Sequence, residues 1–445
     1  MRRNHRSTVA LLASLLMFLA GVSVHTQAAL SQSRPADAPS DPARSIEDLN
    51  MKGSDVSMPP FADSVLDINS PFRQALLNKG MALRLISQGR YAQNTLREPS
   101  PASQQAFVGD HPFQGMMSHL ILTSDLRQLG LRHAQLHVSG DWNWVSWRPA
   151  GPKTLELWSL YFYKELFNDR VEFKAGYNGN SLEFVGMQVG GSTANGVQGV
   201  YAVLPYEVGM SFFPLTSPQV NLLVRAPRRV YLRTGLQRSI DAAGGPATEA
   251  RNHTGLRFAP QGDKLLVIEE FGWRRSATAT DRQGWFRMGY LRNATLYKNL
   301  SNGKMEPGNH AAYALMDYQL RKPDPGQPAH GLYIGASAMT AASRFNAYSQ
   351  YLEGRLYQMG PFRKRPGDTA SLLATYTAHS PFLTDSLVSQ GKTVWRNGAS
   401  LTGSYNIHIA PGNYMSLGLS YLRGPNITPR VDDALTFSGM YTIYF

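Results

Sequence analysis

Alternation of apolar and polar residues with a period of two runs through most of this chain, and it restricts the fold to strands with one greasy and one wet face. From Met81 to Asn94 one face carries Met81, Leu83, Leu85 and Tyr91, and the other Arg84, Gln88, Arg90 and Asn94. Arg170 to Tyr177 sets Val171, Phe173, Ala175 and Tyr177 opposite Glu172, Lys174 and Gly176. Val230 to Gln237 sets Leu232 and Leu236 against Tyr231, Arg233 and Gln237. Ala312 to Arg321 sets Ala314, Met316, Tyr318 and Leu320 against Asp317, Gln319 and Arg321. Leu435 to Phe445 alternates in the same way, with Leu435, Phe437, Tyr441, Ile443 and Phe445 opposite Thr436, Ser438 and Thr442.

A soluble β-sandwich and a membrane β-barrel both produce this pattern; the sandwich buries its apolar faces in a core, the barrel turns them to lipid. Three features favour an all-β transmembrane antiparallel barrel. The strands run to about ten residues, enough to cross a bilayer at a tilt. Aromatics stand near strand ends, at Trp142, Trp144, Trp147, Tyr161 and Tyr163, where interfacial girdles form. Short connections also alternate with long ones. Residues 127–130, 167–170, 226–229 and 410–413 carry the Gly, Pro and Asn of tight turns, while Asn178 to Gln219 and Ser239 to Asn252 are long excursions. Barrels of this kind keep short turns in the periplasm and long loops outside. At roughly 23 residues per strand with its connection, the chain from about Asp67 holds about 16 strands.

The N-terminus reads as an export signal. Arg2, Arg3 and Arg6 precede an apolar run from Val9 to Gly21, and small residues close a 1–28 signal peptide at Ala28. Residues 29–67 lack periodicity and are rich in Ser, Pro, Asp and Ala, which predicts a flexible periplasmic lead-in. The barrel is expected over 68–445, opened by a short helix at 71–79 with Ser70 at its N-cap, Pro71 inside its start and Gly80 past its end. Cysteine is absent, which excludes disulfides, thiolate metal sites and thiol nucleophiles. The formal net charge is +13, but no helix-turn-helix or zinc pattern points to nucleic acid.

In this strand order the chain resembles the carbohydrate-selective porin family of pseudomonad sugar porins. The resemblance rests on Leu166-Phe167-Asn168-Asp169-Arg170-Val171, on the Gly360–Asp368 turn with its Arg365-Pro366-Gly367-Asp368, and on Ile409-Ala410-Pro411-Gly412 followed by Leu417 to Tyr421. The terminal strand ending on Phe445 is similar to the signal that outer-membrane barrel-assembly machinery accepts. Ser416-Leu417-Gly418 and Ser337 depart from the family's usual residues. The resemblance implies passive uptake of glucose-like sugars across the outer membrane of a Gram-negative bacterium, in contact with lipid and lipopolysaccharide, by a monomer or homotrimer. It also implies that the loop at about 178–219 folds inward as a constriction.

A lumen selective for sugars needs hydrogen-bonding groups for hydroxyls and aromatic faces for the ring. The candidate pore lining is Arg84, Arg90, Glu172, Lys174, Tyr231, Arg233, Glu270, Arg287, Tyr313, Asp317, Gln319 and Arg321. No cofactor or metal is expected: His133 and His137 on one strand would stand about 13 Å apart, too far to share an ion. An enzyme is the rival class, but the sequence lacks a Gly-x-Ser-x-Gly elbow and a His-Glu-x-x-His helix. A general or organic-acid-preferring diffusion porin is the nearer alternative, given the arginine excess.

Overall fold

The computed structural model describes residues 45–55, 58–96, 107, 109–146, 155–185, 203–212, 215–252, 254–428 and 431–445. The expected signal peptide, residues 29–44 of the lead-in and the girdle candidate Trp147 lie outside the described residues.

Sixteen antiparallel strands close into a barrel, each paired with its neighbours in chain order. The first eight are β1 (Met81–Asn94), β2 (Phe113–Asp125), β3 (Ala134–Val145), β4 (Leu155–Leu166), β5 (Val171–Asn178), β6 (Ser217–Arg225), β7 (Val230–Arg238) and β8 (Leu265–Arg275). The second eight are β9 (Gly284–Asn293), β10 (Asn309–Arg321), β11 (Gly331–Ala341), β12 (Tyr348–Met359), β13 (Thr369–His379), β14 (Asn397–Ala410), β15 (Asn413–Arg423) and β16 (Asp433–Tyr444). Closure is between β1 and β16, with Ile86 opposite Tyr444 and Asn94 opposite Thr436. Closing the sheet leaves no strand edge unpaired, the condition for a sheet to sit in hydrocarbon.

The turns at 167–170 and 226–229 are as tight as their sequences suggest. Phe167, Asn168 and Asp169 take left-handed φ of 55°, 54° and 61°, and Arg228 and Arg229 take 62° and 69°. The long loops gather at the other end of the barrel. Among the described residues three of them carry short helices, α2 (Val203–Glu207) after β5, α3 (Gly245–Arg251) after β7 and α4 (Pro381–Ser389) after β13. Helix α1 (Pro71–Asn78) precedes β1; Ser70 stands at its N-cap but makes no capping bond through its side chain.

The outward face settles sandwich against barrel. Leu120, Leu232, Phe271, Leu352, Leu401 and Phe437 lie on six different strands and are 39–57% exposed. Left in water, each would forgo roughly half of the about 1.5–3 kcal/mol that full burial of such a side chain brings, so this belt belongs against lipid. Leu232→Arg is therefore expected to cost about 2–4 kcal/mol in a urea titration of the liposome-folded barrel. A cost within error of zero would place Leu232 outside the hydrocarbon.

Two sequence expectations are corrected here. Trp142 and Trp144 do face outward near the loop end of β3, 44% and 42% exposed, but Tyr161 and Tyr163 are buried at 2% each and point into the barrel. Residue type alone favoured a girdle; the strand's parity, with Leu160 and Phe162 outward, puts both tyrosines on the other face. The lead-in, expected as a flexible segment, packs on the barrel over its described part. Residues 45–55 and 58–67 form a strap across the short-turn end of the barrel. A capped 3-10 turn at Ile46–Leu49 and Phe61 pack with Ala82 of β1 in one apolar cluster. Val65 N–H donates to the Tyr444 carbonyl at 2.8 Å.

Candidate functional site in the barrel lumen

Inward positions on β8 to β11 are apolar toward the loop end, with Leu266, Ile268, Leu291, Ala311, Leu315 and Met339 all buried. A water-filled lumen would penalise such a surface, and the connection between β5 and β6 covers it. Phe184, Val185, Leu204, Val208, Met210 and Phe212 from that connection complete a single apolar cluster with those wall residues. Polar bonds fix the loop as well: Asn221 Nδ2 donates to Glu183 Oε2 at 2.8 Å, and Asn180 Nδ2 to Gln237 Oε1 at 2.8 Å. Strand pairing reaches Asn178 and resumes at Ser217, so the connection is 179–216, and its described residues 179–185, 203–212 and 215–216 form the inward loop.

The strap approaches from the opposite end and is held by side chains of the wall. Arg84 donates to Pro59 O at 2.6 Å and to Asn50 Oδ1 at 3.0 Å. Lys174 donates to Gly53 O at 2.6 Å and pairs with Glu183. Tyr161 OH donates to Lys52 O at 2.9 Å, while Lys52 Nζ reaches Glu165 at 2.9 Å. Asp55 N–H then donates to Leu182 O at 3.2 Å, so strap and inward loop touch.

Where they meet, the wall presents alternating charges and rings. Arg233 Nη1 lies 2.6 Å from Asp55 Oδ2 and 3.4 Å from Glu270 Oε1. Arg274 Nη1 is 3.2 Å from Asp55 Oδ1, and Arg287 Nη1 is 3.7 Å from Oδ2. Burial would raise the Asp55 pKa, but the three guanidinium groups hold it below the usual carboxylate range. Glu270 accepts from Tyr313 OH at 2.6 Å and Tyr231 OH at 3.0 Å; Tyr231 in turn accepts from Trp285 Nε1 at 3.0 Å. The Arg287 and Arg274 guanidiniums lie over the Trp285 ring, 3.9 and 4.6 Å from its centroid.

Both tyrosines lie against the wall because the residue beneath each is glycine. A Cβ on Gly272 would sit 2.1 Å from Tyr231 Cζ, and one on Gly289 2.3 Å from Tyr313 Cζ. Gly289→Val is expected to push Tyr313 off the wall, break its bond to Glu270 and lower single-channel conductance roughly twofold. Unchanged conductance would mean that this ring does not border the conducting path.

A second cluster stands on β10 to β12. Arg355 Nη2 contacts both Asp317 carboxylate oxygens at 3.1 Å, pairs with Glu353, and donates from Nη1 to Ser337 Oγ at 2.6 Å. An arginine from the adjacent strand thus reaches Ser337. Beyond it, β13 to β15 line the lumen with hydroxyls, paired as Ser371 with Ser404 at 2.7 Å, Thr375 with Ser400 at 2.7 Å and Thr402 with Ser420 at 2.6 Å.

Of the twelve residues anticipated from sequence, Tyr231, Arg233, Glu270, Arg287 and Tyr313 converge where strap and inward loop meet, with Lys174 tied to them through Glu183. Arg84 holds the strap, Asp317 belongs to the Arg355 cluster, and Arg90 is half-buried beside Gln88 and Met117. Glu172 pairs with Arg225 near the short-turn rim. Two are corrected. Gln319 is fully buried and donates to the Pro328 and His330 carbonyls at 2.8 and 2.9 Å, holding its turn. Arg321 follows a register shift after Gln319 and is exposed at the strand end. The sequence reading missed Asp55, Arg274, Trp285, Glu353 and Arg355. All but Asp55 lie on an inward parity that the period of two would have exposed.

His137 is buried and stacked on Tyr161 at 4.7 Å, remote in role from the exposed turn residue His133. His133, Glu165 and Asp169 do bring ligand atoms within 4.8 Å of one another. Glu165 there is already engaged by Lys52 at 2.9 Å and Tyr163 OH at 3.1 Å, which lowers its attraction for a cation.

Comparison with known proteins agrees with this geometry. A search of curated protein sequences returns no match. Among solved structures, the barrel is similar to Pseudomonas putida OprB in its high-pH structure, at 15% identity and a TM-score of 0.70, covering 86% of this chain and 98% of that one. The low-pH structure of the same protein aligns at 14% identity and a TM-score of 0.52, covering 84% and 95%. At these identities the likeness establishes the fold, a membrane barrel. The sequence model of the carbohydrate-selective porins matches residues 82–445, from the first strand to the last residue. The chain therefore belongs to the carbohydrate-selective porin, OprB family.

Proposed function

We propose that this porin passes neutral, glucose-like sugars by passive diffusion through its lumen, from outside the cell into the periplasm of a Gram-negative bacterium. The observation that carries this reading is the constriction itself. Arginines and carboxylates of the wall and strap alternate there within hydrogen-bonding distance of one another, and β13 to β15 line another part of the lumen with serine and threonine hydroxyls. Mixed charge favours dipolar neutral solutes over net ions, and hydroxyls and guanidiniums together offer a sugar both acceptors and donors. The apolar belt faces outer-membrane lipid and lipopolysaccharide, and the terminal aromatics from Tyr441 to Phe445 address the barrel-assembly machinery.

One observation favours a preference for organic acids instead: the Arg274 side chain remains 40% exposed inside the lumen. Swelling of proteoliposomes in isotonic glucose against sodium gluconate separates the two. Faster swelling in glucose is expected of a neutral-sugar pore; equal or faster swelling in gluconate would replace that reading with an anion-preferring one.

A further inference from the structure

We propose that Asp55 is a specificity-determining residue, delivering from the N-terminal strap the carboxylate that limits the cationic character of the constriction. The inference rests on the reading of the lumen as the solute path. On the strands that meet at this point, Arg233, Arg274 and Arg287 stand against the single carboxylate Glu270. Lys174 and Glu183 neutralise each other nearby. Strands β7 to β9 by themselves thus present an excess of two positive charges, and Asp55 halves it; Asp317 on β10 also acts on Arg287 but is paired with Arg355.

The strap around that carboxylate is also held by contacts other than the arginines. Asp55 N–H is bonded to Leu182 O of the inward loop, Gly53 O accepts from Lys174, and Lys52 is held by Glu165 and Tyr161. The strap is therefore fixed on both the loop and the wall, and Asp55 is 9% exposed with each carboxylate oxygen on a guanidinium. A residue serving only to fasten the strap would duplicate contacts already made on either side of it. A charge placed among three arginines changes the field that ions meet there, because a confined low-dielectric passage focuses the field of each fixed charge.

Asp55→Asn in the full chain keeps the side chain's shape and removes its charge. Reversal potentials in a KCl gradient across a planar bilayer then report the chloride-to-potassium permeability ratio. An increase of about threefold or more is expected, the order of effect of one unit charge in a narrow pore. Adding Arg274→Gln to Asp55→Asn is expected to bring the ratio back toward that of the unaltered protein. Electrophoretic mobility before and after heating confirms that each variant is a folded barrel. A folded Asp55→Asn porin with an unchanged ratio would overturn the proposal, as would a double variant no different from the single one. The readout uses no sugar, so failure of the sugar reading, seen as gluconate preference in the unaltered protein, is a separate result.

Discussion

Replacing Arg233 with alanine is expected to damage this porin more than any other single change in the lumen. Its guanidinium, 7% exposed, is shared by Asp55 and Glu270 and also donates to the Glu183 carbonyl. Strap, wall and inward loop thus converge on one side chain. Removing one partner of a buried ion pair costs about 3–5 kcal/mol, because the carboxylates left behind keep their desolvation without their counter-charge. Arg274 and Arg287 still serve Asp55, and two tyrosines still serve Glu270, so the lower end of that range is expected. The urea midpoint of the liposome-folded barrel measures it. The same variant is expected to shift permeability toward potassium by about threefold, opposite in sign to loss of a carboxylate at this point. A variant of normal stability and selectivity would show that the three segments do not depend on Arg233.

The second large effect is expected on removing the strap, residues 45–67. Many of its contacts are between wall side chains and strap carbonyls, at Asp48, Lys52, Gly53 and Pro59, so the wall groups released can be taken up by lumen water. The apolar loss is confined to two small clusters, Ile46, Leu49 and Phe61 on Ala82, and Met58 with Met51 against Ile86, Ile121 and Trp158. The sixteen-strand closure does not include the strap. The shortened chain is therefore expected to insert and to conduct about twofold or more better than the full chain in planar bilayers. An unchanged conductance from an inserted barrel would mean that the strap does not narrow the path.

The strands were legible because a period of two is imposed by geometry at every residue, and burial on one side leaves a mark at each second position. That mark carried Arg233, Glu270 and Arg287 to the lumen without any motif. The strap was illegible for a related reason. It binds through backbone carbonyls, which every residue has, so a Ser- and Pro-rich segment that docks looks like one that does not. Asp55 gains its role from where Leu182, Lys174 and the arginines place it. Tyr161 and Tyr163 were misread because aromatic rings serve both girdles and lumens, and only parity separates the two. Arg321 was lost to a register shift, which reverses facing with no signal in composition. Arg355 and Glu353 were within reach: Leu352 and Leu356 mark the outward face of β12 as plainly as Leu232 and Leu236 mark that of β7.

The apolar patch inside β8 to β11 carries a further lesson. Leu266, Ile268 and Leu291 break the expectation of a polar lumen, and an inward loop with Phe184, Leu204 and Met210 is what permits it. An apolar run on the wrong face of a barrel strand therefore locates the segment that covers it.

That the lumen is a sugar path with a site at the constriction is tested most directly by single-channel current under graded glucose. Glucose added to one side of a bilayer holding one porin is expected to reduce the current in a saturable way, as sugar occupies the space between the charged and the hydroxyl walls. A current that falls only in proportion to bulk conductivity, with no saturation, would contradict a binding site there.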